Sequence, residues 1–464
     1  MSPPSLQSLP PRARIDAVSD PGSVAPVDPR LEAPRPSPHL ARWGIAAQDD
    51  DGVTLARARV GGRPVLVAAQ DERFLGGSVG AGHARALAAL FECARRERPA
   101  AVVLLLASGG VRLHEANPAE SALAQALTAA LAARAAGIPV LTLGVGDVFG
   151  GASVLACAAD RVALLPGTRL GLSGPKVIET AHGRAELDAG DAEAIARVFG
   201  SAARAAAGQV DAVAADAEAI RGWIATALRD PVPFAARVLA MQARLGARLA
   251  AAVPAPPGVV PRPAGPAAPY FAAAMVVDPA GWLWAAKSPA ATWLTRPAGA
   301  ATLGPGAIHA QDAALLAQFA PDADDRPAGP RTLYLVEDSA GHEATRAAET
   351  LCLSQYLAQH AAVLALLSSR GVRMAGILAG TGHSAAFFVN ALQAPVLYAL
   401  RGARVIAMDP AAVARVTRLD PAALAALIDD DPLLGQPVRC FAQWGGVTLL
   451  PAFGGALPDP AGVS

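Results

Sequence analysis

The sequence predicts an α/β protein made of two copies of one architecture, each a mainly parallel sheet flanked by helices. Three observations predict it. Short, continuous apolar runs of strand length alternate with long Ala/Leu-rich stretches of helix length in both halves. Small-residue turns, rich in Gly and Ser, stand where each strand hands over to the next helix. A Pro-rich run without periodicity, VPAPPGVVPRPAGPAAP at 253–269, divides the halves.

In chain order, residues 1–40 are rich in Pro and Ser and are expected to form an irregular arm before a first domain at 41–252. Within that domain, VTLARARV and PVLVAA flank Gly61-Gly62 and predict a hairpin. Residues 102–106 form an apolar strand, followed by Ser108-Gly109-Gly110 and a helix running to about Ala136. Gly137-Ile138-Pro139 opens a second strand, and Gly150-Gly151 starts a short helix towards Ala159. Residues 162–165 give another strand. The second domain, 270–464, holds a further Pro-rich patch at 321–330. Its strand at 333–336 leads through Ser339-Ala340-Gly341 into one helix expected over 343–369. Gly371 opens the strand MAGILAG, Ser384-Ala385 starts a helix towards Leu392, and strands follow at 396–399 and 405–408.

The halves superpose without gaps at an offset of 234 residues, which matches Gly137 to Gly371, Arg112 to Arg346 and Glu115 to Glu349. The same offset lays Gly150-Gly151 on Ser384-Ala385. Agreement with the strand-helix pattern predicts an internal duplication.

Composition excludes several classes. The 39 basic and 39 acidic residues cancel, so no broad basic surface exists for a polynucleotide, and no nucleic-acid partner is expected. A chain that is 53% hydrophobic is not wholly disordered. The uncharged stretch 374–400 contains Thr381, His383, Ser384, Asn390, Gln393 and Pro395, so a buried strand, turn and helix explain it better than a lipid-facing span. With no signal-peptide pattern at the N-terminus, the expectation is a soluble, cytoplasmic protein. Cys93, Cys157, Cys352 and Cys440 lack ligand spacing, and they predict buried, reduced thiols and no metal site.

The chemistry lies in the glycine turns. A strand-Gly-Gly-helix junction lets the backbone approach a ligand closely, and the N–H groups that open a helix have no intrahelical acceptors. Gly109-Gly110 and Gly150-Gly151 are two such junctions on successive strand ends, and Ser108 borders the first. A GxSxG elbow, a Walker loop and HExxH are all absent. Helix-start arginines Arg112 and Arg346 suit a carboxylate or phosphate, although a structural ion pair is the plain alternative. His114 and His383 are proton-donor candidates against an ordinary structural reading.

The strings ASGGVRLHEAN (107–117), GDVFGGASVLACAADRVAL (146–164), RLGLSGPKVIE (169–179) and DDGVTLARARVGGRPVLVAAQDERFLGGSVG (50–80) together resemble the beta subunit of biotin-independent malonate decarboxylase. Acetyl-CoA carboxylase carboxyltransferase subunits are more distant relatives. VEDSAGHEATRAAETL (336–351) and the block at 378–427 resemble the gamma subunit, so the chain looks like a beta–gamma fusion. It departs from the family at Ser384-Ala385, where gamma subunits usually have Ser-Gly, and at 343–346, where they have Tyr-Gly-Arg-Arg. Lys176 replaces a common Glu, and His114 an expected Gln.

The resemblance implies crotonase-like (ClpP/crotonase) folds in both halves, with the active site between them. It implies decarboxylation of a malonyl thioester held by an acyl-carrier subunit on a phosphoribosyl-dephospho-CoA arm. An alpha subunit acts as acyl transferase, and this chain itself binds neither biotin nor another cofactor. Gly109, Gly110, Gly150, Gly151, Ser384 and Ala385 would supply oxyanion donors, and His114 a proton. Arg112, Ser108, Arg346, Gly382 and His383 would hold the substrate. Homo-oligomerisation is left open. The alternatives are a biotin-dependent acyl-CoA carboxyltransferase and a non-catalytic assembly protein.

Overall fold

The structure, a computed structural model, describes residues 5–27, 36–252, 276–277, 283–288, 291–295, 302–319 and 332–450. The 253–269 run and the patch at 321–330 lie outside the described residues. The chain forms two compact units. The first comprises Met1–Glu115, Gln125–Arg237 and Ala344–Ala358; the second comprises Ala116–Ala124, Val238–Glu343 and Gln359–Ser464.

The first unit carries a seven-stranded sheet whose spatial order is its chain order: β1 (Ala25–Pro26), β2 (Val53–Val60), β3 (Arg63–Gln70), β4 (Ala101–Ser108), β5 (Val140–Val148), β6 (Arg161–Leu164) and β7 (Ala212–Val213). β1, β2 and β3 pair antiparallel, and every later pairing is parallel. Gly61 and Gly62 close the β2–β3 hairpin with φ of 57° and 73°. Both central residues of a two-residue primed turn need positive φ, which is why glycines stand there. All of β4 is buried, as its unbroken apolar sequence requires of a strand covered on both faces.

The N-terminal arm differs from its expectation. Pro11–Val18 is an α-helix with Pro at its first position, and Ile15 and Val18 join the sheet core. Arg14, 2% exposed, donates to the carbonyls of Leu6, Gln7 and Gln70 and pairs with Glu72. Pro/Ser composition hid a segment whose buried face is only one helix long.

The second unit repeats the scheme with β8 (Val276–Val277), β9 (Leu283–Ser288), β10 (Ala291–Thr295), β11 (Thr332–Glu337), β12 (Arg373–Leu378), β14 (Val396–Leu400) and β16 (Val447–Leu450) in that spatial order. Its first two pairings are antiparallel and the rest parallel, as in the first unit. β13 (Thr381–His383) and β15 (Arg404–Ile406) form a separate parallel pair, so the strand expected at 405–408 stands outside the main sheet.

The helix expected over 343–369 is two helices, Arg346–Thr350 and Leu353–Ser369. Cys352 between them has φ of 66°, a left-handed conformation that no α-helix continues through.

The gapless offset of 234 also needs correction. It holds from Gly137 and Gly371, with φ of 82° and 83°, to Gly150 and Ser384, with φ of 60° and 50°. At the first turn the correspondence is 231. Val111 bridges Val79 in the first unit as His342 bridges Leu303 in the second, and Gly110 and Gly341 have φ of 103° and 94°. Three residues are therefore inserted after Gly341. Arg112 corresponds to Glu343, and Arg346 is not its counterpart.

Candidate active site

In the first unit the two expected glycine turns touch. A Cβ on Gly150 would stand 2.9 Å from the Gly110 Cα, and one on Gly110 would stand 3.1 Å from the Gly150 Cα. Only glycine at both positions permits this approach. A third glycine pair, Gly76-Gly77, supports the turns from below. Gly109 N–H donates to the Gly76 carbonyl, and the Ser108 hydroxyl donates to the Gly77 carbonyl at 2.7 Å. A Cβ on Gly77 would collide with the Ala107 carbonyl.

These bonds decide which donors remain. Gly110 N–H is bonded to Ser108 Oγ at 3.1 Å, and Gly150 N–H to the Leu172 carbonyl at 3.0 Å. The helix Gly151–Cys157 begins at the contact, and its Gly151 and Ala152 N–H groups have no acceptor among the described residues. Of the four glycines expected to supply donors, three are committed to the protein's own carbonyls and hydroxyl, and Gly151 is open.

The second unit builds the matching turns differently. Ser339 N–H donates to the Thr381 carbonyl, and Thr381 N–H donates to Asp338 Oδ1. The His383 ring covers Gly341, whose Cβ would lie 3.1 Å from Nδ1, and the ring donates to the Ala340 carbonyl. Gly382 has no room for a side chain because the Phe387 ring lies against it. Ala385 is buried one residue into the helix Ser384–Val389, and it is Ser384, not Ala385, that adopts positive φ. Ser339 Oγ, buried, has no partner among the described residues, unlike its counterpart Ser108.

Comparison with known proteins identifies the halves. The carboxyl transferase domain model matches residues 8–242, and the malonate decarboxylase gamma subunit model matches residues 308–453. The chain belongs to the carboxyl transferase family. Because a gamma-subunit domain follows the carboxyl transferase domain on one chain, it is a beta–gamma fusion of the malonate decarboxylase type. It is 34% identical over 197 residues to the malonyl-S-ACP:biotin-protein carboxyltransferase of Malonomonas rubra, which covers 39% of this chain and 61% of that one. It is 36% identical over 176 residues to the acetyl-coenzyme A carboxylase carboxyl transferase subunits beta/alpha of Parafrankia sp. (strain EAN1pec), covering 36% and 28%. The chain thus spans less than two thirds of each of these relatives. A crystal structure of a Pseudomonas malonate decarboxylase hetero-tetramer with malonate is 36% identical, covers 50% of this chain and 85% of that chain, and has a TM-score of 0.46.

In this carboxyl transferase fusion, Arg112 is spent internally. It is fully buried, pairs with Asp51 at 2.5 Å and Glu115 at 3.3 Å, and donates to the carbonyls of Asp51 and Ser78. Asp51 and Glu115 in turn accept N–H bonds from His83 and Ala81 at the start of the helix Ala81–Glu97. Both terminal nitrogens are committed to these partners and the buried Nε has none among the described residues, so the guanidinium braces the first turn. Arg346 is exposed, with no ion pair among the described residues; its backbone N–H donates to Glu186 and its carbonyl accepts from the Thr350 hydroxyl.

His114 packs edge-on against Trp43, whose indole N–H donates to the His114 carbonyl. Burial, then the Arg112 charge, hold its pKa below the ordinary value, and burial does the same to His383. Both imidazoles are therefore neutral near neutral pH.

Sequence reasoning passed over Gly76-Gly77 and Ser339-Gly341 as site-building residues. The signal for the first was present in FLGGSVG, and for the second in a small-residue turn at a strand end. Glu349 was matched to Glu115 but given no role. It is fully buried in the first unit, where it accepts N–H bonds from Leu172 and Ser173 and pairs with Arg204. Among the described residues no group of three or more His, Cys, Asp or Glu could hold a metal ion, and no helix is long and apolar enough to cross a membrane.

Proposed function

We propose that this chain decarboxylates a malonyl thioester, without biotin, to leave the acetyl thioester. Its substrate is carried on the prosthetic arm of a separate acyl-carrier subunit, and an alpha subunit exchanges the acyl group. The observation that carries this reading is the gamma-subunit domain following the carboxyl transferase domain on one chain, together with the open N–H pair at Gly151 and Ala152.

The physical problem is charge. Breaking the bond between the methylene and the carboxylate releases CO2 and leaves an electron pair that delocalises onto the thioester oxygen as an enolate. N–H groups fixed at the positive end of a helix meet that oxygen without reorganising, and one such donor is worth about 10²–10³ in rate. Gly110 and Gly150, lacking side chains, leave the approach to Gly151 and Ala152 clear. The helix opening at Ser384-Ala385 in the second unit offers N–H groups of the same kind. Arg346 suits a phosphate of the carrier arm. The enolate carbon then takes a proton from water; a neutral His114 orients that water rather than storing the proton.

Replacing Gly151 by Pro tests the assignment at the backbone. Proline is tolerated at the first helical position but has no N–H. We expect the variant to fold and to lose turnover by about 10²–10³; full turnover by a folded variant contradicts the assignment. A second reading, carboxyl transfer to a biotin protein, is favoured by the activity for which the Malonomonas rubra relative is named.

A further inference from the structure

A cavity of about 330 Å³ opens in the first unit, lined by Arg134, Arg161, Arg237, Asp160 and Phe234 among others. Pro139 and Leu141, at the start of β5, also line it. The glycine turns follow the other end of β5, at Val148. At roughly 3.3 Å per residue, the strand separates the two places by about 25 Å. The cavity is therefore not part of the site described above.

Its charges are unevenly satisfied. Asp160 accepts from Val140 N–H through one oxygen and from Arg134 through the other, at 2.9 Å each. Arg134 also donates to the Ala158 carbonyl and stacks over Phe234 at 5.1 Å. Arg161 pairs with Asp211 at 3.2 Å. The Arg237 side chain has only an approach of 3.6 Å to the Asp160 oxygen that Arg134 already holds, and makes no hydrogen bond among the described residues. The Nε groups of Arg134 and Arg237 are both buried without an acceptor. The remaining acid in the lining, Asp230, is exposed. Two guanidiniums thus share one carboxylate oxygen while both buried Nε donors go unmet among the described residues, an arrangement that suits an added anion. Burial and the neighbouring charges of Arg161 and Arg134 lower the pKa of Arg237, so an added negative charge would relieve it.

We propose that this cavity binds a small organic anion, its carboxylate or phosphate oxygens held in the fork of Arg237 and its body against the Phe234 wall. The planar guanidinium matches either oxyanion in two parallel bonds. A volume of this size is at the small end of ligand pockets, which favours a compact molecule. The proposal does not depend on the reaction assigned to the glycine turns.

Titration calorimetry on the full chain with malonate, inorganic phosphate and AMP, each alone, tests it. At least one should bind, and Arg237→Gln should weaken that binding by about tenfold or more. Arg237→Lys, which keeps the charge without the fork, should fall between the two. Binding of malonate alone identifies a carboxylate ligand, and binding of phosphate or AMP a phosphate ligand. Gly151→Pro must leave the affinity unchanged, which separates this cavity from the acyl site. If no probe binds the wild-type chain, or if a folded Arg237→Gln chain binds as tightly as wild type, the proposal is overturned.

Discussion

At the scale of single residues, the two turns that share an offset differ in what they demand. Gly150 and Ser384, matched at that offset, both adopt positive φ, 60° and 50°. Glycine accepts that conformation freely, whereas a residue with a Cβ is strained by about 1–2 kcal/mol. Glycine in turn loses more entropy on folding, so Ser384→Gly should gain only about 0.5 kcal/mol. Urea unfolding followed on the second unit checks this, and a loss of stability would mean that the serine side chain makes a bond that outweighs the strain. His114 gives the second residue-scale prediction. Its pKa is lowered, so it does not carry a proton near neutral pH, and His114→Gln should keep turnover within about tenfold with an unchanged pH profile. A larger loss, with a shifted profile, would make His114 the proton donor.

At the scale of elements, the start of the helix Ala116–Ala135 belongs to the second unit and is held there by side chains. Asn117 donates to the carbonyls of Pro432 and Gly435, and its N–H donates to the Leu433 carbonyl. One helical turn on, Glu120 is buried, with one oxygen lacking a partner among the described residues, and burial raises its pKa from 4.5 to about 8. A raised folded pKa stabilises the protein below the ordinary value of 4.5, and the benefit is lost as pH rises through about 8. Glu120→Gln should therefore gain stability relative to wild type as pH rises over that window. Urea midpoints measured across it provide the check, and parallel wild-type and variant curves would contradict it.

Legibility follows the same scale. Continuous apolar strands such as β4 and the Gly61-Gly62 hairpin are visible in sequence because burial on both faces and a primed turn each leave a local mark. The helix Pro11–Val18 was not visible, because four residues of one face suffice to bury it. The break at Cys352 carries no Gly or Pro to announce it. In the site, the Gly109-Gly110 and Gly150-Gly151 turns could be read as a pair, but the carbonyls of Gly76 and Leu172 that accept from Gly109 and Gly150 N–H are brought there only by the fold. Arg112 looked like a ligand for anions because its two carboxylate partners include Asp51, distant in sequence.

At the scale of the molecule, the same succession of antiparallel and parallel pairings in both sheets supports an internal duplication. Each unit also takes in a piece of the other half's sequence: Ala344–Ala358 in the first and Ala116–Ala124 in the second. The first unit also takes in the N-terminal segment with β1, so its boundary is not at 41; we propose that the run at 253–269 joins the two halves of the sequence. A protease site engineered into that run should release two fragments that still elute together, because Glu349 is needed by Leu172, Ser173 and Arg204. Fragments that separate readily would contradict the unit boundaries. The zero net charge leaves no broad basic surface, and the arginines act locally, braced as Arg112 is or exposed as Arg346 is.

The central claim is the reaction. Incubating the purified chain with malonyl-carrier and following CO2 release, with and without a biotin protein, addresses it directly. The account predicts release of CO2 and formation of acetyl-carrier without biotin, lost in Gly151→Pro; carboxyl transfer to biotin in its place, or no reaction at all, would contradict it.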